Sequence, residues 1–503
     1  MKRKHRLMLA ILYLSLIASG TLQAQDQPVK LKIDWGKTVR VSQTTPTLQV
    51  VVNPPLRRGT SVHDNAYKAL HDLGADYVRY VPWLPYPKLG IPELEPPANG
   101  RTSWDFSLID PLTIDFLEAT RNHPATLNFS TIPQWMFKGV ENKYPDDPNQ
   151  VVWEYTNGLD FRDPSFKEVA QYYARLISWY THGGFTDEFG KRHESGHHYR
   201  VTHWEVLNEP ELERNIPPEV YTKFYDAVVT EMHKASPDTK FVGMGLASPS
   251  MNPKYFEYFL DPKNHEPGIP LDYISYHFYA IPTVDQTPEV QGFTFFAQAD
   301  GFLNSVRYIE QIRERLSPNT KTMVNEIGAI SADDLVQGEP GHVTKPIPSS
   351  YWSLTGAMYA YIFGEVTRIG VDVAGESQLV GYPTQFPSVS MVDWNDGSPN
   401  PRFRVLQLLH DNFGPGDKVV ESEGGFSSNP FIYSLPVVTK DGKKRILLVN
   451  KRDRVMKVNI PGANRGEQTY ADQTTGSKPP ATMKLSRDEV TLNGYSVSAV
   501  TLP

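Results

Sequence analysis

The chain contains no cysteine. That excludes disulfides, thiol catalysis and a lipid-bearing cysteine, and leaves core burial as the source of stability. Charge is sparse as well, with 21% of residues charged. Beyond the first 24 residues no apolar run approaches the ~20 residues that span a bilayer, so no membrane anchor is expected. Those first residues read as a cleavable export signal. Lys2, Arg3, Lys4 and Arg6 form its basic start, Leu7 to Ile17 its apolar stretch, and Ala18 to Ala24 its small and polar end. The expectation is a secreted or periplasmic protein cleaved after Ala24. Four of the 50 basic residues leave with the signal, so 46 face 57 acidic ones and the net charge becomes −11. An acidic balance argues against nucleic acid or anionic lipid as a partner.

Aromatic residues, by contrast, make up 12% of the chain, with 26 tyrosines and 42 prolines. Rings pack on the C–H faces of sugars while planar polar groups meet their hydroxyls, so a carbohydrate partner is one reading. A large aromatic core is the other.

Strand-like runs at 47–52, 76–81, 125–131, 202–207, 240–246, 272–279, 322–326 and 371–379 alternate with helical spacing. The helical stretches are 65–73, 110–121, 164–180, 217–234, 253–260, 296–316, 351–369 and 401–413. Eight alternations are the count of a (β/α)8 TIM barrel, an α/β fold whose active site lies at the C-terminal strand ends. From 414 onward short alternating runs replace helical spacing, and Asp441-Gly442 marks a hairpin, which predicts an accessory C-terminal β-sandwich. The expected organisation is a signal peptide at 1–24, a strand segment at 25–45 available to the β-sandwich, the catalytic barrel at 46–413 and the β-sandwich at 414–503. Three long connections, 82–103, 133–163 and 281–295, fall on the mouth side and are candidates for binding.

Two carboxylates end apolar strand runs. Glu209 closes Trp204-Glu205-Val206-Leu207-Asn208-Glu209-Pro210 on the fourth strand, and Glu326 closes Met323-Val324-Asn325-Glu326 on the seventh. They are 117 residues apart, or 39 per βα unit, which suits a barrel with generous loops because a minimal one spends about 31 per unit. Two carboxyl groups are what glycosidic cleavage requires, one to protonate the leaving oxygen and one to attack C1 or activate water. His63, after the first strand, is a candidate polar donor. Trp83, Trp135 and Trp394 are candidates for stacking on sugar rings, with loop packing as the alternative. Arg57, Arg58 and Lys88 could meet a uronic carboxylate or simply be solvated.

The stretch at Trp204 to Pro210 resembles the acid/base motif of clan A retaining glycoside hydrolases. Tyr77-Val78-Arg79-Tyr80, Ile274-Ser275-Tyr276-His277-Phe278-Tyr279 and Asp396-Gly397-Ser398-Pro399-Asn400-Pro401 resemble family 39, the β-xylosidases and α-L-iduronidases. The aromatic residue that often follows the nucleophile there is missing from Asn325-Glu326-Ile327-Gly328. The resemblance implies Glu209 as acid/base, Glu326 as nucleophile, Asn208 as a donor to the sugar 2-hydroxyl, and Arg79, His277 and Tyr279 around the nucleophile. It implies a β-xylosidase-like exo-enzyme acting by double displacement on plant or algal-type saccharides, without a cofactor. Electrostatics agrees, since a nucleophilic carboxylate must stay ionised beside a guanidinium while an acid must keep its proton. The alternatives are another clan A specificity, namely β-galactosidase, arabinosidase, uronidase or endo-glycanase, or a carbohydrate-binding barrel without catalysis. A metal hydrolase built on His193, His197 and His198 is the rival chemistry. Those residues lie in a polar stretch with Gly and Ser that presets no ligand geometry, so no metal is expected.

Overall fold

The computed structural model describes residues 28–153, 155, 160–282, 286–337, 339, 341–425 and 429–503. The expected export signal lies outside them. Eight parallel strands close into a barrel. They are β1 (Thr45–Val51), β2 (Val78–Val81), β3 (Ala125–Leu127), β4 (His203–Glu205), β5 (Lys240–Leu246), β6 (Tyr273–Ala280), β7 (Lys321–Ala329) and β8 (Val373–Glu376). β8 pairs in parallel with β1 to complete the ring. All seven residues of β1 are buried, polar Thr and Gln included, as befits a strand covered on both faces.

The connecting helices start and stop where local chemistry dictates. Helix His63–Leu73 ends at Gly74, which adopts φ 60°, the left-handed cap that glycine enters without a Cβ penalty. Helix Pro401–Asn412 is capped by Asn400, whose side chain accepts from the backbone N–H groups of Arg402 and Phe403. Several bounds differ from expectation, and two of them have a local reason. Helix Pro288–Leu316 begins well before residue 296 because extended Thr287 hands over to proline at the first helical position. β7 continues past Glu326 to Ala329, paired residue by residue with the end of β6.

Inside the barrel the layers change character with height. Val242, Tyr273, Met323 and Val373, at or near the starts of their strands, form an apolar plug at the N-terminal end. Polar and charged side chains follow above it, so chemistry is confined to the C-terminal mouth.

Seven strands form an antiparallel sheet in the order Ala481–Lys484, Glu467–Ala471, Val497–Thr501, Lys444–Asn450, Ile432–Val438, Lys418–Glu423, Lys32–Val41. Its outermost strand comes from the N-terminal segment, and Val29–Lys30 pairs with Met456–Asn459 in a facing three-stranded sheet. Strand alternation splits the large sheet's side chains between two cores. Ile432, Ile446 and Leu448 point into the sandwich, while Tyr433, Leu447 and Val449 join the barrel core. Gly364 of helix Ser349–Ile369 allows that junction, since a Cβ there would meet the Tyr433 ring at 2.4 Å.

Candidate active site

Past β4 the backbone turns sharply. Leu207 (φ 67°) and Glu209 (φ 41°) both adopt the left-handed region, which costs non-glycine residues on the order of 1–3 kcal/mol each. Tertiary hydrogen bonds offset this. Glu209 N–H donates to Gly245 O at 2.9 Å, and Asn128 Nδ2 donates to Leu207 O at 2.9 Å. The turn presents Asn208 and Glu209 together to one cavity.

β7 reaches the same cavity through a bulge. Tyr276 pairs with Val324 and His277 with Glu326, so Asn325 is the extra residue. Two consecutive side chains therefore serve the barrel interior. Asn325 Nδ2 donates to Glu205 Oε1 at 2.7 Å, and Glu326 Oε1 accepts from Arg79 Nη1 at 2.5 Å. Arg79 is the hub of this layer. Its Nε donates to Glu205 Oε2 at 2.5 Å, its Nη1 also to Gln49 Oε1 at 2.7 Å, and its Nη2 to Asn208 Oδ1 at 2.6 Å. Glu205 further accepts from Asn128 Nδ2 and Ser275 Oγ, each at 2.5 Å. Burial pushes the Glu205 carboxyl up, but Arg79, His277 and these donors outweigh it and hold it below its ordinary value.

Tyr279 Oη donates to Glu326 Oε2 at 2.6 Å and lies 2.6 Å from Ser377 Oγ. His277 Nδ1 stands 2.8 Å from Glu209 Oε1 and 3.6 Å from Glu326 Oε2. Burial opposes a charge on His277, yet Glu326 and Glu209 prevail and raise its pKa. Among the described residues, Glu209, His277 and Glu326 are the group with metal-ligand spacing, their ligand atoms all within 4.8 Å of one another. Arg79 stands against Glu326, and the raised pKa of His277 favours a proton on the ring that lies between the two carboxyl groups. His193, His197 and His198 do not converge: His193 Nε2 meets Asp187 Oδ2 at 2.9 Å, His197 Nε2 lies 3.5 Å from Asp110, and His198 is exposed.

The cavity measures about 430 Å³ and is lined by Glu209 and Glu326, with Gln49, Asn208, Glu213, Tyr279 and Gln378 as further polar groups. Trp83, Trp153 and Phe386 form an aromatic wall, their ring centroids 5.5–6.1 Å apart. Glu205, Glu213, Trp153 and Phe386 escape sequence reasoning. A charged residue inside the apolar run at 201–207 is a signal for Glu205, and the length of the 133–163 loop is one for Trp153.

Three expected binding residues lie elsewhere. His63 opens its helix with Nδ1 2.7 Å from Asp64 and Nε2 2.9 Å from Asp115, and it does not line the cavity. Trp135 is buried in the loop core, its Nε1 donating to Glu93 O at 2.9 Å and its ring covered by Arg162. Trp394 packs against the hydrophobic core within a turn tied to the segment before the first helix through Ser61 Oγ to Asn395 O at 2.6 Å. Arg57, Arg58 and Lys88 are likewise spent on Asn149, Asp115 and Asp146.

No family model and no curated protein matches this chain. Solved structures do share its fold. The GH51 arabinofuranosidase from Xanthomonas axonopodis pv. citri superposes with a TM-score of 0.64 at 14% identity, covering 94% of this chain and 99% of that one. A glucosidase from Croceicoccus marinus gives 0.57 at 14%, covering 95% and 99%. A GH30 endoxylanase from Clostridium papyrosolvens C71 gives 0.56 at 14%, covering 94% and 99%. At these identities the likeness establishes the fold, barrel and sandwich together.

Proposed function

We propose that the protein is an exported retaining glycoside hydrolase of the clan A type. Glu326 attacks the anomeric carbon, Glu209 protonates the leaving oxygen, and Glu209 then deprotonates the water that releases the sugar. The observation that carries this reading is the approach of the two carboxylates, whose facing oxygens lie within 4.8 Å. Retaining enzymes hold their carboxyl groups about 5–5.5 Å apart, whereas inverting ones need roughly 6.5–9.5 Å to admit a water. Arg79 and Tyr279 on Glu326 match a group that must act as an anion, and Asn208 beside Glu209 matches a donor to the 2-hydroxyl. The names of solved structures with a similar fold, an arabinofuranosidase, a glucosidase and an endoxylanase, support action on glycosidic bonds.

For the substrate, we infer a terminal β-xyloside-like sugar, in keeping with family 39. The cavity with its Trp83, Trp153 and Phe386 wall supports action on one chain end. The likeness to an arabinofuranosidase supports arabinoside as the second reading. The leader at 1–24 supports export.

Glu326→Ala tests the mechanism. Turnover should vanish and return with azide, giving a glycosyl azide of inverted configuration. Full activity without azide would sink the reading. A panel of nitrophenyl xylosides, arabinosides, galactosides and uronides assigns the sugar, and no turnover of any member would favour a binding barrel.

A further inference from the structure

Glu213 has no step in the mechanism above, yet it is built into the cavity wall. It ends the short helix Pro210–Glu213, one turn after Glu209. Its Oε1 accepts two hydrogen bonds, from Trp83 Nε1 at 2.6 Å and from Asn208 Nδ2 at 2.7 Å. These donors come from separate parts of the barrel, Trp83 from beyond β2 and Asn208 from beyond β4.

The two contacts differ in consequence. Trp83 belongs to the aromatic wall, so its bond to Glu213 sets the tilt of a ring placed to lie against a sugar. Asn208 is held at both ends, its Oδ1 by Arg79 Nη2 at 2.6 Å and its Nδ2 by Glu213. A reversed amide would face its NH2 to the guanidinium, so the orientation is unique and leaves the second N–H of Nδ2 for a ligand. Glu213 Oε2, in contrast, is inaccessible and has no hydrogen-bond partner. Burial and the nearby charge of Glu209 push the Glu213 carboxyl up to about 8, against the opposing pull of Arg214. The shift favours the neutral carboxyl, which adds no charge beside Glu209.

We propose that Glu213 is a positioning residue that, through one oxygen, fixes the Trp83 ring and the Asn208 amide in register with Glu209. It thereby couples ring stacking to recognition of the hydroxyl next to the cleaved bond. The proposal rests on the glycosidase reading and on Asn208 meeting the 2-hydroxyl.

The test compares kcat and KM on two nitrophenyl glycosides of one sugar, with and without the 2-hydroxyl. Glu213→Gln keeps a neutral acceptor at Oε1 and should stay within roughly threefold of the parent, while Glu213→Ala should lose about 10–100-fold in kcat/KM on the 2-hydroxy substrate, the scale of one or two hydrogen bonds. On the 2-deoxy substrate the Ala loss should be smaller, reduced to the part that Trp83 carries. Combined with Asn208→Ala, the losses should fall short of additive, as for residues acting through one contact. Equal losses on both substrates, or parent-like kinetics of Glu213→Ala, would overturn the proposal. If Glu213→Ala does not fold, Glu213→Asp takes its place, since its shorter side chain cannot reach both donors; the same loss of 2-hydroxyl discrimination is expected, and its retention counts against the proposal. Glu326→Ala measured alongside separates the two failures: an active Glu326→Ala undermines the glycosidase reading, whereas an inactive one beside a normal Glu213→Ala undermines the positioning role alone.

Discussion

Arg79 Nη1 lies 2.5 Å from Glu326 Oε1, with both side chains enclosed by the barrel. The same guanidinium also neutralises Glu205, so one cation serves two buried carboxylates. Removing one member of a buried, hydrogen-bonded charge network leaves the rest uncompensated, which costs about 3–5 kcal/mol. Arg79→Ala should therefore lower stability by that order and abolish turnover. Arg79→Lys should keep much of the stability and little of the activity, because an ammonium cannot replace the fork that reaches Glu205, Gln49, Glu326 and Asn208 together. Urea unfolding and kinetics on both variants check this, and equal activity of the Lys variant and the parent would contradict it.

Tyr279→Phe removes one hydroxyl, which also lies 2.6 Å from Ser377 Oγ. It deletes the O–H donated to Glu326 Oε2 and leaves the ring in place. A hydrogen bond to a charged group contributes about 1.5–3 kcal/mol. An approximately 10–100-fold fall in kcat is expected, with an almost unchanged melting temperature. A large fall in melting temperature without loss of kcat would assign Tyr279 to the fold instead.

Periodicity made the barrel legible, because period-2 runs and helical spacing alternate eight times and each strand lies inside or beside its expected range. Glu209 and Glu326 were legible as charges ending apolar runs. Around them, Arg79, Asn208, His277 and Tyr279 were legible only through resemblance, and Trp83 through its place in a mouth loop. What stayed hidden follows from physics that is not local. The bulge at Asn325 turns two neighbouring residues inward, and alternation alone would send one of them outward. Glu205 looks like an error in a buried strand until Arg79, from a strand 126 residues away in sequence, is placed against it. His63 and Trp394 follow strand ends as mouth residues do, but neither lines the cavity. Whether a loop covers the mouth or the flank depends on its tertiary partners, here Asp115 for His63 and the Ser61 to Asn395 bond for Trp394.

His277 should make stability depend on pH. Burial works against its charge, but Glu326 and Glu209 raise its folded pKa above the ordinary 6.5. A raised histidine binds a proton on folding. Its contribution is complete below about pH 6.5 and disappears as pH rises through the folded value. The stability difference between parent and His277→Asn should thus be larger at pH 5.5 than at pH 9. Urea unfolding at the two values measures it, and a difference that grows toward alkaline pH would show that the histidine is held neutral.

Glu93 should act in the same direction without any role in the site. The residue is fully enclosed, and neither of its carboxyl oxygens has a hydrogen-bond partner. Burial, with repulsion from Glu188, pushes its carboxyl up to about 9. The folded chain therefore holds a proton that the unfolded chain releases above about pH 4.5. Stability is complete below that point and declines toward pH 9, by at most about 1.4 kcal/mol per pH unit. Glu376, pushed up to about 8 by burial, and Glu213 contribute slopes of the same sign. Glu93→Gln removes only its own share. It should melt higher than the parent at pH 8 and show a smaller drop between pH 5 and pH 8. Parallel pH profiles for the two proteins would mean that Glu93 is ionised in the folded state and has found a partner there.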